Sequence, residues 1–257
     1  DALINSNGSR DFWSEVKRIR CNKRTVSCTV DGQSNADNIA NFFANKYEDL
    51  YSCASFDSND MDIIRCDIAN DLLKAGVDNN CIISSSDVAT AVSTLKCCKS
   101  DGSKGLTSDF LLHACNDLFV HLAFLLTSAL AHGYAPDDML LSTIIPIPKG
   151  KSCNVTDSAN YRGIALSSII GKVLDKIIMN RYGDSLCSSE LQFGFKAHSS
   201  TNMCTMVLKE TISYYINNGS KLYCTMLDVS KAFDRVEYCK LFRLLMARKL
   251  PPVITRF

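Results

Sequence analysis

The hydrophobic period of the sequence changes near residue 141, and this change limits the folds that the chain can adopt. Segments before it, such as 36–51 and 86–96, place apolar residues at helical spacing, which is typical of amphipathic helices. Beyond it, LSTIIPIPK (141–149) is rich in β-branched residues and carries two prolines, which suits an edge strand. YRGIALS (161–167) is a second short strand, so we predict a hairpin over 141–167 and an α+β fold class.

Helices are predicted before this hairpin. The expected N-cap of the helix at 86–96 is Ser86 or Asp87, and Gly133 is the expected C-cap of the last apolar stretch. A DG turn separates the first two helices, and a loop with one helix is expected over 52–85. The predicted helices lie at 11–20, 36–51, 86–96 and, as one or two helices, 107–133.

Helix and strand signals alternate after the hairpin. One helix is expected from Ser167 or Ser168 to near Gly183, and a second over about 200–218 with Gly219 as its stop. KLYCTMLD (221–228) alternates apolar and polar residues, which predicts a strand. EYCKLFRLLMARKL then predicts a helix that ends before Pro251.

Charge is distributed unevenly along the chain. The net charge is +1, yet residues 1–140 contain 12 lysines and arginines against 19 aspartates and glutamates, whereas residues 141–257 contain 16 against 8. A basic half joined to an acidic half suggests that one surface meets a polyanion. Solvated surface charge gives the same pattern, so charge alone leaves both interpretations open.

The 13 cysteines and four histidines show no spacing typical of a metal site or a disulfide framework. No CxxC occurs, and only Cys97 and Cys98 lie close together in the sequence. We therefore expect free thiols and an intracellular location, in the nucleus or the cytoplasm. The longest apolar run, 122–131, is too short to cross a bilayer, and a start at Asp1 without methionine suggests a piece of a longer protein.

LDVSKAFDRV (227–236) follows the predicted strand and places Asp228 at its end. Nucleotidyl transfer by two metal ions needs carboxylates in such rigid positions, because Mg²⁺ takes oxygen ligands in strict octahedral geometry. A strand-end aspartate also commonly initiates a turn or caps a helix, so Asp228 alone supports both interpretations. Asp234 is expected to cap or brace the following helix, and Phe233, taken alone, is a core aromatic.

Several motifs follow one another in a characteristic order. They are PIPK (146–149), NYR (160–162), SSIIGKVLDKIIMNR (167–181), QFGF (192–195) and LDVSKAFDRV. This order resembles the reverse transcriptases of non-LTR retrotransposons of the LINE type over about residues 140–250. Residues 10–140 match more loosely, through DFWSEVKRIR, IANFFANKYEDLYS and LKCCKSDGSKGLTSDFL.

The resemblance implies an RNA-directed DNA polymerase with right-hand polymerase fingers, a partial palm and a mostly helical N-terminal extension. Residues 1–85 would be the extension between endonuclease and polymerase, 86–220 the fingers with the basic hairpin, and 221–257 the start of the palm. The implied partners are an RNA template, a DNA primer or target, dNTPs and the rest of the same polyprotein, with an endonuclease upstream and palm and thumb downstream. No membrane partner is expected.

The resemblance also assigns roles within the palm motif. Asp228 matches the leading catalytic aspartate, which binds both Mg²⁺ ions, and the carbonyl of Val229 would help to hold one of them. Phe233 matches the aromatic steric gate that packs under the sugar of the dNTP and disfavours a ribose 2′-OH. Asp234 is interpreted as support for this motif.

Residues of the implied fingers receive roles by the same resemblance. Lys149 and Arg162 match residues that approach the triphosphate of the incoming dNTP, where lysine acts as a point charge and arginine as a bidentate donor. Gln192 and Phe195 match the segment that lines the template path, where they contact nucleic acid or simply pack. Lys196 keeps the positive charge of an arginine that is usual in the family.

The chain departs from the family pattern at three places. Gly163 follows NYR where the family usually has proline, and KAHSST (196–201) replaces an arginine-containing turn. The paired aspartates of a later [FY]-x-D-D motif do not occur in the 257 residues. One metal ligand does not make a two-metal centre, so we expect a fragment that is inactive alone. The alternative is a catalytically dead remnant or a nucleic-acid-binding module derived from such a polymerase.

Overall fold

The computed structural model describes residues 29–52, 57–75, 81–102, 105–150, 153–186 and 188–257. The helix predicted at 11–20 lies outside these residues. None of the helices among the described residues has the length and apolar character needed to span a bilayer. The helices are α1 (Ala36–Ser52), α2 (Ser58–Ala75), α3 (Ser85–Ser93), α4 (Ser108–Leu112), α5 (Asn116–His132), α6 (Asp137–Leu140), α7 (Ile169–Tyr182), α8 (Thr201–Asn217), α9 (Tyr238–Ala247) and α10 (Pro252–Arg256).

Two strands, β1 (Thr143–Pro148) and β2 (Tyr161–Leu166), pair as a two-stranded sheet. This pairing confirms the hairpin predicted over 141–167, and the combination of helices with a small sheet is compatible with the predicted α+β class. The chain divides into two compact units, Asp1–Glu48 with Ile145–Ile164 and Asp49–Ile144 with Ala165–Phe257. They are called the hairpin unit and the helical unit below, and each is described by itself.

In the hairpin unit, a tight turn before α1 is bonded to the loop between the strands. Asp31 and Gly32 adopt φ angles of 45° and 81°, and Val30 and Gln33 bridge across them, which confirms the predicted DG turn. The backbone N–H of Asp31 donates to the carbonyl of Thr156, 2.8 Å away. Contacts within this unit therefore hold the interstrand loop.

The core of the helical unit is formed by α3, α5 and α7. Apolar side chains at helical spacing meet there because each helix buries one stripe, and α3 packs against both α5 and α7. Gly133 ends α5 with a φ of 64°, as the sequence predicted, and the apolar stretch before it forms two helices, α4 and α5. The buried members of this core include Val88, Val92, Leu122, Leu126, Leu130, Val173, Leu174 and Ile177.

The N-cap of α3 differs from the prediction. Ser84 is the N-cap, rather than Ser86 or Asp87, and its hydroxyl accepts a hydrogen bond from the N–H of Asp87. The Asp87 carboxylate accepts from the N–H of Ser84 in return, at 2.8 Å. This reciprocal capping box satisfies two helix-terminal donors, whereas a cap at Ser86 would leave Asp87 without that role. Ser168 caps α7, one of the two serines that the sequence offered.

A smaller apolar cluster joins α2 to α9. Met61, Ile64 and Ile68 of α2 pack against Cys239, with Phe242 partly buried beside them. Arg243 of α9 also donates to the carboxylate of Asp60 of α2. The single helix predicted between 52 and 85 therefore has a defined packing partner.

The strand predicted over 221–228 is wrong. These residues have no regular secondary structure, and their side chains are exposed, with Tyr223 at 89% and Leu227 at 94% of their full accessibility. A β-strand needs a hydrogen-bonded neighbour. The two strands in the described part of the chain pair with each other, so none lies beside 221–228. The alternation of apolar residues therefore does not correspond to burial.

Candidate active site

The motif LDVSKAFDRV forms an exposed turn between the irregular segment 221–229 and helix α9. Asp228 and Val229 are both exposed, and residues 230–235 are turns. The N–H of Asp234 donates to the carbonyl of Lys231 at 3.1 Å, and Lys231 has a φ of 56°. A left-handed residue allows the chain to reverse direction at this point. Asp228 thus lies just before a tight turn, and its side chain is exposed to solvent.

The rings of Phe195 and Phe233 lie against each other. Their centroids are 5.5 Å apart and their planes meet at 81°, which is an edge-to-face contact. The structure therefore brings together two residues for which the family resemblance predicts different roles, one at the template and one at the sugar of the nucleotide. No local pattern in the sequence indicated this contact.

The segment that carries Phe195 is a turn closed by its own polar groups. The side-chain amide of Gln192 donates to the carbonyl of Gly194 at 3.1 Å, and the N–H of Gln192 donates to the carbonyl of Ser189 at 3.0 Å. Lys196 Nζ lies 3.5 Å from the carbonyl of Ser189. Gln192 thus contributes to the shape of the turn, and its predicted contact with the template stays a prediction.

Asp234 is half-buried, whereas Asp228 is exposed. Partial burial raises the pKa of Tyr51 above its ordinary value of 10.0, and the negative charge of Asp234 raises that pKa further. The carboxylate of Asp234 therefore lies close enough to the end of α1 to act on Tyr51 electrostatically. The two aspartates of the motif have different surroundings, and the supporting role of Asp234 stays a prediction.

Lys149 and Arg162 belong to the hairpin unit. Lys149 follows β1, Arg162 is the second residue of β2, and both are exposed. The N–H of Lys149 donates to the carbonyl of Asn160 at 2.8 Å, so the ends of the two strands that carry these cations are bonded together. The two positive charges are therefore presented by neighbouring strands of one hairpin.

A polar network that the sequence did not indicate holds the loop of this hairpin. Lys46 Nζ donates to Ser158 Oγ at 2.5 Å, and the N–H of Ser158 donates to Asp31 Oδ1 at 3.1 Å. The side chain and the backbone of Ser158 lower the pKa of Asp31 below its ordinary value of 3.8 by hydrogen bonding. Ser158 and Asp31 are 127 positions apart, so no local pattern could have paired them.

An aromatic contact adds to this network. The ring of Tyr161 packs on that of Phe43 with centroids 5.1 Å apart, and its hydroxyl donates to the carbonyl of Val155 at 2.7 Å. Because Tyr161 immediately precedes Arg162, helix α1 contacts the strand that carries this cation.

The donors that would hold Mg²⁺ are the carboxylate of Asp228 and the carbonyl of Val229. Oxygen atoms of these kinds are the ligands that Mg²⁺ prefers, so the donor chemistry fits the ion. In the described part of the chain, no three or more histidine, cysteine, aspartate or glutamate side chains form a group suited to a metal ion. The assignment of Asp228 and Val229 as Mg²⁺ ligands therefore stays a prediction.

The part of the chain that carries the hairpin cations and the palm motif matches a known protein family. Residues 147–257, which include the hairpin cations and the palm motif, match the family described as reverse transcriptase (RNA-dependent DNA polymerase). Residues 147–257 are thus similar to reverse transcriptases, which are enzymes. The resemblance predicted from the order of the motifs is confirmed.

The curated relatives of the chain are proteins of non-LTR retrotransposons. The chain is 28% identical over 153 residues to a 115 kDa protein in type-1 retrotransposable element R1DM of Drosophila melanogaster, covering 59% of this chain and 15% of that protein. It is 30% identical over 120 residues to the Pol polyprotein from type-1 retrotransposable element R2 of Nasonia vitripennis, covering 47% of this chain and 12% of the polyprotein.

A third relative is named as an RNA-directed DNA polymerase from transposon BS of Drosophila melanogaster. It is 27% identical over 158 residues, which cover 58% of this chain and 17% of that protein. The chain thus spans less than a fifth of the length of each of these three relatives.

Proposed function

We propose that the chain is part of an RNA-directed DNA polymerase of a non-LTR retrotransposon. The observation that carries this proposal is the family match over 147–257, which includes Lys149 and Arg162 of the hairpin and the first palm motif. The hairpin and helices α3–α8 would form fingers, and residues 221–257 would begin a right-hand palm. An endonuclease upstream and the rest of palm and thumb downstream would complete the polyprotein, which would act in the nucleus or the cytoplasm.

The reaction would be the addition of dNTPs to a DNA primer on an RNA template. The primer 3′-OH would attack the α-phosphate of the dNTP, and pyrophosphate would leave as the bond between the α- and β-phosphates breaks. Asp228 and the carbonyl of Val229 would hold Mg²⁺, which would stabilise the charge that develops. Lys149 and Arg162 would bind the triphosphate, because charge-assisted hydrogen bonds to phosphate are strong and arginine binds it in a bidentate fashion. Gln192, Phe195 and Lys196 would contact the template.

Phe233 would select the sugar of the nucleotide. Its ring is exposed beside the carboxylate-bearing turn, where it can lie under a deoxyribose and leave no room for a 2′-OH. Asp234 would keep this turn in place from its half-buried position.

Primer extension tests the proposal directly. The polyprotein that contains this chain and its downstream palm should extend an RNA-templated DNA primer in Mg²⁺. Asp228→Ala should lower the rate at least about a hundredfold, since a developing charge loses its stabilisation. Asp184→Ala, at an exposed aspartate after α7, is the matched control and should leave the rate unchanged. Unchanged synthesis in Asp228→Ala would refute the catalytic role.

A nucleic-acid-binding module is the second candidate. The exposed pair of Phe195 and Phe233 beside Lys196 favours it, because aromatic rings next to cations bind single-stranded nucleic acid without a metal centre. The 257-residue chain should then bind a template–primer with an affinity that falls as salt rises. Binding without synthesis by the polyprotein would favour the module, and absence of binding at low salt would exclude it.

A further inference from the structure

The contact between Phe195 and Phe233 joins two otherwise exposed side chains. Phe195 keeps 93% and Phe233 keeps 77% of its full accessibility, so core packing fixes neither ring. An exposed phenylalanine samples several rotamers, and a specific neighbour is needed to favour one of them. The edge-to-face contact, with centroids 5.5 Å apart, provides that neighbour for Phe233.

The backbone of Phe195 is fixed more tightly than its exposure suggests. Its φ is 57°, a left-handed conformation that bulky residues rarely adopt. Such a conformation persists only when the surrounding structure holds it. The hydrogen bonds of Gln192 to Gly194 and Ser189 close the turn immediately before Phe195. The turn therefore defines the direction in which the Phe195 ring leaves the backbone.

We propose that Phe195 is the positioning residue for Phe233, and that the two rings act together in the selection of the nucleotide sugar. Phe195 holds the ring of Phe233 in the rotamer that excludes a ribose 2′-OH. Without Phe195, the ring of Phe233 turns away for part of the time, and ribonucleotides enter more easily. This inference rests on the proposed polymerase function, and it moves Phe195 from the template path to the sugar site.

Nucleotide selectivity in the polyprotein is the first test. The ratio of kcat/KM for a dNTP to that for the matching rNTP should fall about two- to tenfold in Phe195→Ala, the range expected for the loss of one aromatic pair. Phe195→Tyr keeps the ring and should retain the ratio, whereas Phe195→Leu should behave like Phe195→Ala. The rise in rNTP use should come mainly through KM, because Phe195 does not touch the reacting atoms.

A double-variant comparison separates positioning from independent binding. Phe233→Ala should lower the selectivity ratio, and Phe195→Ala combined with Phe233→Ala should lower it no further, because Phe195 acts through Phe233. Phe124→Ala, which removes another exposed phenylalanine, is the matched control and should leave the ratio unchanged. An unchanged ratio in Phe195→Ala, or an additive loss in the double variant, would overturn the inference.

The ring contact is measurable in the 257-residue chain without any catalysis. In NMR spectra of selectively labelled phenylalanine rings, Phe195→Ala should move the Phe233 ring resonances towards those of a free ring, and Phe124→Ala should leave them in place. If the polyprotein synthesises no DNA, the proposed function is refuted. The NMR spectrum still decides whether the contact between Phe195 and Phe233 exists. Unmoved Phe233 resonances would overturn the positioning role, even in an active polymerase.

Discussion

Arg181 of α7 donates a hydrogen bond to Asp87 of α3, with Nη2 and Oδ2 2.6 Å apart. The same guanidinium nitrogen donates to the carbonyl of Ile82 at 2.7 Å, and the Asp87 carboxylate also accepts from the N–H and the hydroxyl of Ser84. One carboxylate therefore closes the cap of α3 and joins this helix to α7. Both side chains are partly buried, in contrast to the ion pairs on the helix surfaces.

Replacement of Asp87 should destabilise the chain. Asp87→Ala removes the acceptor for Arg181 and Ser84 together, and we expect a loss of about 1–2 kcal/mol in the free energy of unfolding. Asp71→Ala is the matched control, because Asp71 pairs with Lys74 on the exposed surface of α2, 3.5 Å away. Urea denaturation measures the free energy of unfolding of both variants. Equal losses in the two would contradict the structural role of Asp87.

The Asp87 carboxyl should also make stability depend on pH. Burial acts to raise its pKa, but hydrogen bonds from Ser84 and Arg181 outweigh burial and hold the pKa below the ordinary value of 3.8. Because the folded-state pKa is the lower one, its contribution is complete above about pH 4 and is lost as pH falls through the folded-state value. The unfolding midpoint should therefore drop more steeply below pH 4 in the parent chain than in Asp87→Ala.

Ser158 should stabilise the hairpin loop. Ser158→Ala removes the acceptor for Lys46 and the hydroxyl that bonds to Asp31, and a cost of about 1 kcal/mol is expected for buried hydrogen bonds. Hydrogen exchange should become faster at the N–H of Lys149, which is bonded to Asn160 within this hairpin. Ser142→Ala, at an exposed serine before β1, should change neither quantity. Unchanged exchange at Lys149 would contradict the prediction.

Leu126 lies in the centre of the helical unit with none of its side chain exposed. Leu126→Ala should lower the free energy of unfolding by about 3 kcal/mol, because it removes buried methyl groups and leaves a cavity. Leu125, the preceding residue of the same helix, is 41% exposed, and Leu125→Ala should cost about 1 kcal/mol or less. A similar loss of unfolding free energy in both variants would contradict the burial of Leu126 in the core.

Gly133 combines a left-handed φ of 64° with a close neighbour. A Cβ atom there would lie 2.5 Å from Arg256 Nε, and Arg256 bonds to the carbonyls of Leu130 and Ala131 at the end of α5. Gly133→Ala should therefore cost at least about 1 kcal/mol, through backbone strain and displacement of Arg256. Gly150→Ala, where a Cβ meets no atom within 4 Å, should be nearly neutral in the same denaturation experiment.

The helices were predictable because their signals are local. Gly133 and Gly219 ended helices where expected, and the apolar spacing noted in 86–96 corresponds to the buried face of α3. The N-cap of α3 was misplaced because Ser84, Ser85 and Ser86 are consecutive and any of them suits a cap by composition. Ser84 is the N-cap because it forms the capping box with Asp87, and this choice among the serines depends on the backbone geometry.

Apart from the N-cap of α3, the predictions that failed or were missing depend on distant contacts. The alternation in 221–228 is local, but a strand exists only beside a partner. The bond between Asp31 and Ser158 joins positions 127 apart, and the contact of Phe195 with Phe233 joins two motifs that the sequence treats separately. Motif resemblance predicts site residues one by one, whereas contacts between distant motifs depend on how the chain folds.

The exposed segment from Leu222 to Leu227 has a consequence for the behaviour of the chain in solution. LYCTML is uncharged, mostly apolar and free of proline, a composition that favours strand pairing between copies of a protein. Lys221 and Asp228 flank it with opposite charges, and flanking charges act as gatekeepers against aggregation. Asp228→Ala removes one of these flanking charges, so the variant that should slow synthesis should also self-associate more readily than the parent chain.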